Sequence, residues 1–572
     1  MNPDYADQSL LHLSKLGASG KYPANARRDL LNFVGEPSSP KLFRSAVHVK
    51  VQKPRRSRDG EIHAIISINM AFFLPHEYFH YLYTKKRSLF NRIMLGGDPG
   101  RVEEFWKGVQ ERNDPRFHQL MLTDMDRGTE WLKKCVPLSF HGDEVPVIAV
   151  GKAGTKSLDV SSQQSVLARN SSSLVVKQPL CAVFGHNKVH TEECNTEQEI
   201  GEVLGWSYRA LQAGKWPSND HRGKAYDPLS AEGQLAGTDL ADGWCAAIYL
   251  MKSDLDFLAK SLGLRHYSAN EFCDLCPCNV AGEPGLWPSN FGPDSRWIHA
   301  LFSVEEWRAL YPNVPHWLFL LVHVSQHNVE PDELHIIWMG TAAWCNGSVL
   351  WMLVFRVMPK SAVENMQDLW AQITQCYSEF GTSSQYTNLT IGSFCDPAKP
   401  SGHYPKLKGR GAEVKGLSAV LCRVWEQNMN TGNPEHRLVF DLLENQRCME
   451  RVIDDHAHEL FLGPGQALQF QTHIITFLHK YTQLGHLADA RGDLLWNVTP
   501  KFHYLYHLGQ RSHYLSPRRG ACWVDEDYVG KCKVVAACCS AGTQLHCIPG
   551  KMLENMRHGL ELLHDQLERD LV

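Results

Sequence analysis

The chain has 572 residues, 43% of them apolar and 21% charged, with a formal net charge of −4. That length can bury a sizeable core in two to four domain-sized units, and that charge excludes a protein basic throughout, so nucleic-acid binding would have to rest on local patches. No run of about 18 apolar residues is present; the longest, HWLFLLVHV (316–324) and VLWMLVFRVM (349–358), have the length of core strands, and no membrane association is expected.

The opening MNPDYADQSLLHLSKLG has no basic stretch followed by an apolar one, so secretion is not expected and an intracellular setting is. Seventeen cysteines in such a chain point to reduced thiols or a metal site before a disulfide framework. Residues 1–60 carry two basic clusters: Arg27–Arg28, then Lys50, Lys53, Arg55, Arg56 and Arg58. They read either as a solvated loop or as an arm that contacts phosphates.

Residues 61–135 alternate short apolar runs with helical stretches such as PGRVEEFWKGVQER (99–112). From 136 the texture changes. VPLSFHGDEVPVIAV, SLDVSSQQSVLA and SLVVKQPLCAVFG read as three successive strands separated by Gly, Ser and Asn. A helical stretch follows at 196–214, then another apolar run from 242. Three strands, a helix and a fourth strand open a ribonuclease-H-like α/β sheet. Residues 345–500 read as mostly helical, with a loop-rich interruption around 381–416.

Three groups of residues offer chemistry. His76-Glu77-x-x-His80 has the HExxH spacing of zinc peptidases, which puts two imidazoles on one helical face with a glutamate to activate water. The third ligand is missing: only Glu103 and Glu104 are near in sequence, beyond the break GGDPG. Aromatic neighbours fit a packed helix start equally well. Cys273 and Cys276 form a CxxC, with Cys278 close by. One CxxC supplies half of a tetrahedral zinc site; the other half could come from His266, His299, His190 or Cys194, or the thiols could simply be buried. The third group is a set of separated acids. Asp143 ends the first strand and Asp254 follows the fourth. These strands are neighbours in a ribonuclease-H-like sheet, so the two carboxylates would converge. Two Mg²⁺ or Mn²⁺ ions would relieve their repulsion and act on a phosphodiester. Glu526, on a late helix, is the best-placed third acid. Among 62 acids a solvated surface is the plain alternative.

Several segments resemble the CACTA (En/Spm) group of cut-and-paste DNA transposases, and the chain is similar to the transposase-like proteins abundant in dinoflagellates. SDLDFLAKSLGLRHYSANEFCDLCPCN resembles the family's segment in which a metal-binding Asp precedes a CxxC. PDELHIIWMGTAAWCNGSVLWML resembles its Asp-x-x-His segment, through Asp332, His335, Gly347, Ser348 and Leu350. WVDEDYVGKCK resembles the late helix, with Glu526 on the catalytic Glu and Lys533 on a following Lys. TPKFHYLYHLG is similar to the lead-in, through His503 and His507.

The resemblance covers roughly 136–350 and 495–540. It implies a DDE transposase with an α/β fold: an RNase H-like mixed sheet interrupted by a large, mostly helical insertion, after a mixed N-terminal region. The layout would be 1–135 with a basic arm for DNA, 136–350 with a zinc-knuckle-like segment at 266–300, a helical insertion at 351–500, and final core helices at 501–572. Asp143, Asp254 (or Asp256) and Glu526 would hold two Mg²⁺ or Mn²⁺ ions, with His335 beside them, and Cys273 and Cys276 a structural Zn²⁺. The implied partners are transposon-end DNA and a second copy of the chain, in the nucleus. A silent scaffold derived from such an enzyme, binding DNA or protein, and the HExxH peptidase are the competing readings.

Overall fold

Alternation of apolar and polar residues in FRSAVHVKVQ and HAIISINMAF makes two strands, and they form a hairpin that the sequence reading of 1–135 did not specify. The computed structural model describes residues 41–52, 63–123, 127–147, 156–169 and 172–571. Strand β1 (Phe43–Gln52) pairs antiparallel with β2 (His63–Phe72) along its whole length. Four helices follow: α1 (Pro75–Lys85), α2 (Arg87–Met94), α3 (Gly100–Glu111) and α4 (Pro115–Leu122). Of the basic arm only Lys50 falls in this part, on β1; Arg27, Arg28, Lys53, Arg55, Arg56 and Arg58 lie outside the described residues.

The central sheet contains β3 (Cys135–Val147), β4 (Lys156–Ser165), β5 (Gln178–Phe184) and β6 (Cys245–Lys252), in the order β5-β4-β3-β6. β4 runs antiparallel to both neighbours, while β6 is parallel to β3. A parallel pair needs a long return connection, and helix α5 (Thr196–Ala213) lies within it. α5 starts on Asn195, whose side chain accepts from the backbone N–H groups of Glu197 and Gln198, and ends on left-handed Gly214. β5 and β6 are buried along their whole length, which explains their unbroken apolar runs: helices cover both faces of the sheet. Asp254 caps the short helix α6 (Leu255–Lys260).

Beyond the sheet, residues 261–333 are mostly loop with short helical turns, and from Leu334 the chain is largely helical apart from a loop-rich stretch at 381–410. The sequence run 349–358, read as strand-length, is the second half of a long helix, α7 (Leu334–Val357). A buried apolar run fits strand and helix alike, and only its surroundings decide. By length and composition α7 could cross a membrane, but 89% of its apolar window is buried inside the protein. The other run, 316–324, forms a single tight turn at Trp317–Leu320. After α7 come α8 (Ala362–Phe380), α9 (Gly411–Asn428), α10 (Pro434–Asp455), α11 (Pro464–Asp489), α12 (Pro500–Arg511), α13 (Trp523–Cys538) and α14 (Ile548–Leu571).

Two hydrophobic cores result. One joins the hairpin, α1–α4, the sheet and its helices to α13 and α14. The other joins the segment 272–298 to α7–α12. Thus α7 belongs with the helical part, and the region 1–135 shares its core with the sheet. A buried ion network ties the two together: Arg116 on α4 binds Asp114 (2.7 Å) and Glu330 (2.9 Å), and Glu330 also takes Arg511 of α12 (2.7 Å). The protein is therefore mixed α/β, with a mixed sheet and a large helical part.

Candidate functional site

The register of the parallel pair builds the site. The last paired residues of β3 and β6 are His141 and Lys252. One step further, Ser253 Oγ donates to the Gly142 carbonyl (2.6 Å), which keeps the chains side by side. Two steps further stand Asp143 and Asp254, on the same face as the pair before them because side chains alternate. A Cβ on Gly142 would sit 2.2 Å from the Phe257 ring, so glycine there lets α6 close over the strand end. Asp254 Oδ1 accepts from Phe257 N (2.7 Å), and Asp143 Oδ1 from Glu144 N (2.7 Å). Glu144 alternates to the other face and pairs across the strands with Asp159. Asp256 is committed to Lys260 at 2.7 Å; Asp254 is the acid that faces Asp143.

α13 arrives with Asp525 and Glu526 in its first turn. Asp525 is buried and meets the level below the acids: Lys252 at 2.8 Å, Lys177 in direct contact, and His141 at 3.9 Å. Glu526 meets the level of the acids. Burial, then the charges of Glu526 and Asp254, push the Asp143 carboxyl up to about 8. Burial also raises Glu526, where His335 opposes and Asp332 and Asp254 add to the shift.

The Asp-x-x-His segment supplies the remaining piece. Asp332 Oδ1 accepts from Leu334 N (3.0 Å) and from Cys522 N (2.9 Å), joining the start of α7 to the start of α13. Its other oxygen accepts from His335 N (3.2 Å) and contacts His335 Nδ1. The Nε2 of His335 then faces Glu526 Oε1 at 3.5 Å. Burial opposes protonation of His335, but the Asp332 carboxylate and then Glu526 outweigh it and raise the imidazole above its usual value. α7 opens with a widened turn that breaks at Gly340 (φ −125°, ψ −105°), an irregularity of the kind often found at functional sites. Gly347 has a packing role: a Cβ would lie 2.8 Å from the Pro405 carbonyl. Ser348 Oγ accepts from Trp496 N (3.2 Å), and Leu350 is fully buried. Lys533 sits two turns beyond Glu526 on α13.

The cysteines belong to a second centre. Cys273, Cys276, His503 and His507 are all buried, and their ligand atoms lie within 4.8 Å of one another. Cys273 Sγ is 3.5 Å from His507 Nε2, Cys276 Sγ 3.4 Å from His503 Nε2, and the two Nε2 atoms 3.1 Å apart. These edges are close to those of a tetrahedron with bonds of about 2.0–2.3 Å, so this Cys2His2 cluster can bind a metal such as zinc. His507 Nδ1 is held by Gln510 Oε1 (2.9 Å), an orienting contact of the kind metal-binding histidines use. Burial pushes the Cys273 thiol up, but its hydrogen bond with Cys276 and the two imidazoles bring it down to about 6.

The partners expected from sequence are elsewhere: His266 bonds Ser268, His299 and His190 are exposed, and Cys194 is bonded through its backbone to Thr191. The true partners, His503 and His507, are one helical turn apart on α12, 227 residues beyond Cys276 in the case of His503. Their i, i+4 spacing was a signal, and both stand in the segment TPKFHYLYHLG singled out above, where they were not assigned to the cysteines.

The HExxH helix is packing. His76 is buried; its Nδ1 lies 2.7 Å from Ser207 Oγ, and its ring meets Trp206 and Trp216 edge-on. Burial, then His80, hold it down near 3. His80 Nδ1 bonds the Leu240 carbonyl (2.6 Å). Among the described residues no third ligand joins them. His76→Ala should cost about 2–3 kcal/mol through lost packing against Trp206 and Trp216 and one lost hydrogen bond to Ser207, whose Oγ keeps the backbone N–H of residue 76. Denaturant unfolding will measure that loss, and metal content should stay unchanged.

Asp525 carries a larger structural load. Asp525→Asn leaves Lys177 and Lys252 buried without the one carboxylate in direct contact with both. The expected cost is about 3–5 kcal/mol, read as a shifted unfolding midpoint; a loss below 1 kcal/mol would mean that the lysines do not depend on it.

No protein-family model matches this chain, and no curated protein matches it either.

Proposed function

We propose that the protein is a transposase-like enzyme that uses divalent metal ions to hydrolyse DNA phosphodiesters and then joins the freed 3′ end to a second site. The observation that carries this reading is the approach of Asp143, Asp254 and Glu526 from two neighbouring strand ends and a helix, near enough that the charges of Glu526 and Asp254 add to the burial that raises the Asp143 carboxyl. The strand order β5-β4-β3-β6, with β6 parallel to β3, supports a ribonuclease-H-like sheet, and α7–α12 support a helical insertion before the Glu526 helix. Carboxylates are the donors Mg²⁺ or Mn²⁺ take, but among the described residues these three do not bring their oxygens within 4.8 Å of one another, so the ions would have to draw them together. Ions held there supply positive charge and Lewis acidity at a phosphodiester.

The chain's own residues do the rest. The Asp525 cluster fixes the angle at which Glu526 enters. Asp332 orients His335 and favours its protonated form, so that its Nε2–H can donate to Glu526 or to a phosphate oxygen. The Cys2His2 centre, loaded with zinc, would brace α12 against the segment that follows Asp254. DNA ends, a second copy of the chain and a nuclear setting complete the reading.

The test is incubation of purified protein with a labelled DNA strand and Mg²⁺ or Mn²⁺. Metal-dependent nicking supports the reading. No nicking, with Mn²⁺ still binding at Asp143, identifies a silent scaffold. No Mn²⁺ binding at all removes the nuclease reading.

A further inference from the structure

The helix α7 is almost wholly buried as far as Val354, and up to that point only His335, Met339 and Trp344 keep a partly or fully exposed surface. They stand on either side of the break at Gly340, where the widened first turns give way to regular α-helix. The seam they mark starts at His335, beside Glu526, and ends at Trp344.

Lysines flank this seam. Lys501 of α12 lies across Gly340, where a Cβ would meet its side chain at 2.7 Å, and its Nζ donates to the Met339 carbonyl (3.3 Å). Lys406 sits with its ammonium 5.2 Å from the centre of the Trp344 ring. The segment carrying it is extended and fastened to α7: Leu407 N donates to the Ala343 carbonyl (2.9 Å), and Lys406 N and Lys408 N to Phe394 O and Ser393 O. Pro405 and Leu407 point inward while Lys406 and Lys408 point to solvent, about 6.5 Å apart as strand geometry dictates. Among the described residues no ion pair joins Lys406, Lys408 or Lys501 to an acid. Arg410 ends the same segment but is tied to Glu413 at 2.7 Å.

The result is three lysines that no carboxylate pairs among the described residues, although Lys408 Nζ donates to the Gly392 carbonyl (3.1 Å), beside an exposed thioether and a half-buried indole, leading away from three carboxylates. Lysines spaced along a line with an aromatic between them suit a strand whose charge sits on its backbone and whose bases stack. We propose that the His335–Met339–Trp344 seam is the track for a nucleic-acid strand leading into the acid cluster, with backbone phosphates on Lys501, Lys406 and Lys408 and an unpaired base against Trp344. This rests on the metal-dependent nuclease reading for its polarity, but the binding itself needs no cleavage.

The experiment measures binding of a fluorescein-labelled 20-nucleotide single strand to the full chain by anisotropy, without added divalent ion, at several salt concentrations. Lys406→Glu/Lys408→Glu should weaken binding about tenfold or more and reduce the slope of log K against log salt by about 1.4, two phosphates' worth. Trp344→Ala should weaken it about tenfold with the slope unchanged. A control of equal charge change, Lys107→Glu/Lys224→Glu on exposed positions elsewhere, should bind like the wild type. The proposal is overturned if the wild type does not bind, if the lysine pair changes nothing, or if the control loses as much. Weakened binding by the seam variants in a protein that never nicks DNA keeps the track and removes the nuclease; nicking with unaltered binding does the reverse.

Discussion

On the nuclease reading proposed above, Asp143→Asn will abolish metal-dependent DNA cleavage, by a factor of about a thousand or more, and will not unfold the protein. In that reading three carboxylates supply the negative charge that divalent ions require, and removing one would weaken the ions' hold and their stabilisation of the transition state by about 4 kcal/mol. Glu526→Gln should do the same. Stability should move the other way. The Asp143 carboxyl stands at about 8, far above its usual 3.8. The folded protein therefore holds that proton more tightly than the unfolded chain, and ionising it costs stability as pH rises from about 4 to 8. Asparagine carries no such cost. Without added divalent ion, Asp143→Asn should match the wild type near pH 4 and exceed it above pH 8, by about 1–3 kcal/mol once solvent screening at this partly exposed site is allowed for. Denaturant titrations at the two pH values will read the difference. A variant that is less stable at pH 8 would make Asp143 a structural turn residue.

The second large effect belongs to the Cys2His2 centre. Metal analysis should find one zinc per chain, and Cys276→Ser or His503→Ala should lose it. The centre closes a loop of 227 residues between Cys276 and His503. By the chain-entropy argument, a link across a loop longer than about 100 residues stabilises by about 5 kcal/mol. The ligands are buried against Trp297 and Phe272, so metal loss also strands two imidazoles and two thiols in an apolar site. The helical part should lose its cooperative thermal transition or show it displaced by 10 °C or more. Full retention of the transition in zinc-free protein would reduce the cluster to packing.

Asp525 and Glu526 show how tightly the two effects are linked through α13. Adjacent acids in one turn serve opposite ends of one interface: Asp525 neutralises buried lysines, and Glu526 adds to a group of like charges. The first stabilises the helix position that the second requires. Asp525→Asn should therefore lower stability and, through the position of Glu526, activity as well, while Glu526→Gln should lower activity alone.

Much of this was written locally. Alternation and turn residues placed β3, β4, β5 and β6; that β3 and β6 are neighbours was an expectation from a ribonuclease-H-like layout, and the parallel pairing that brings Asp143 and Asp254 to matched heights is a long-range contact. The Asp-x-x-His spacing placed His335 above Asp332 for a local reason, a capping carboxylate three residues before an imidazole. Other features were not local. The apolar run in 349–358 reads equally as strand or helix until the neighbours that bury it are known. The hairpin β1–β2 acquires its partner from α14, some 500 residues later. HExxH satisfied a spacing rule, yet Ser207, Trp206 and Trp216 decided that His76 is a packed core residue. The Cys2His2 cluster splits the same way. CxxC announced half of a site, but His503 and His507 reach it only because α11 and α12 fold back over the segment 272–298. Sequence by itself determined which residues could cap, alternate or ligate, since those are properties of neighbours along the chain. Which acids share a field, which thiols find imidazoles and which histidines are sealed among tryptophans were decided only by tertiary packing, because burial and charge act through space.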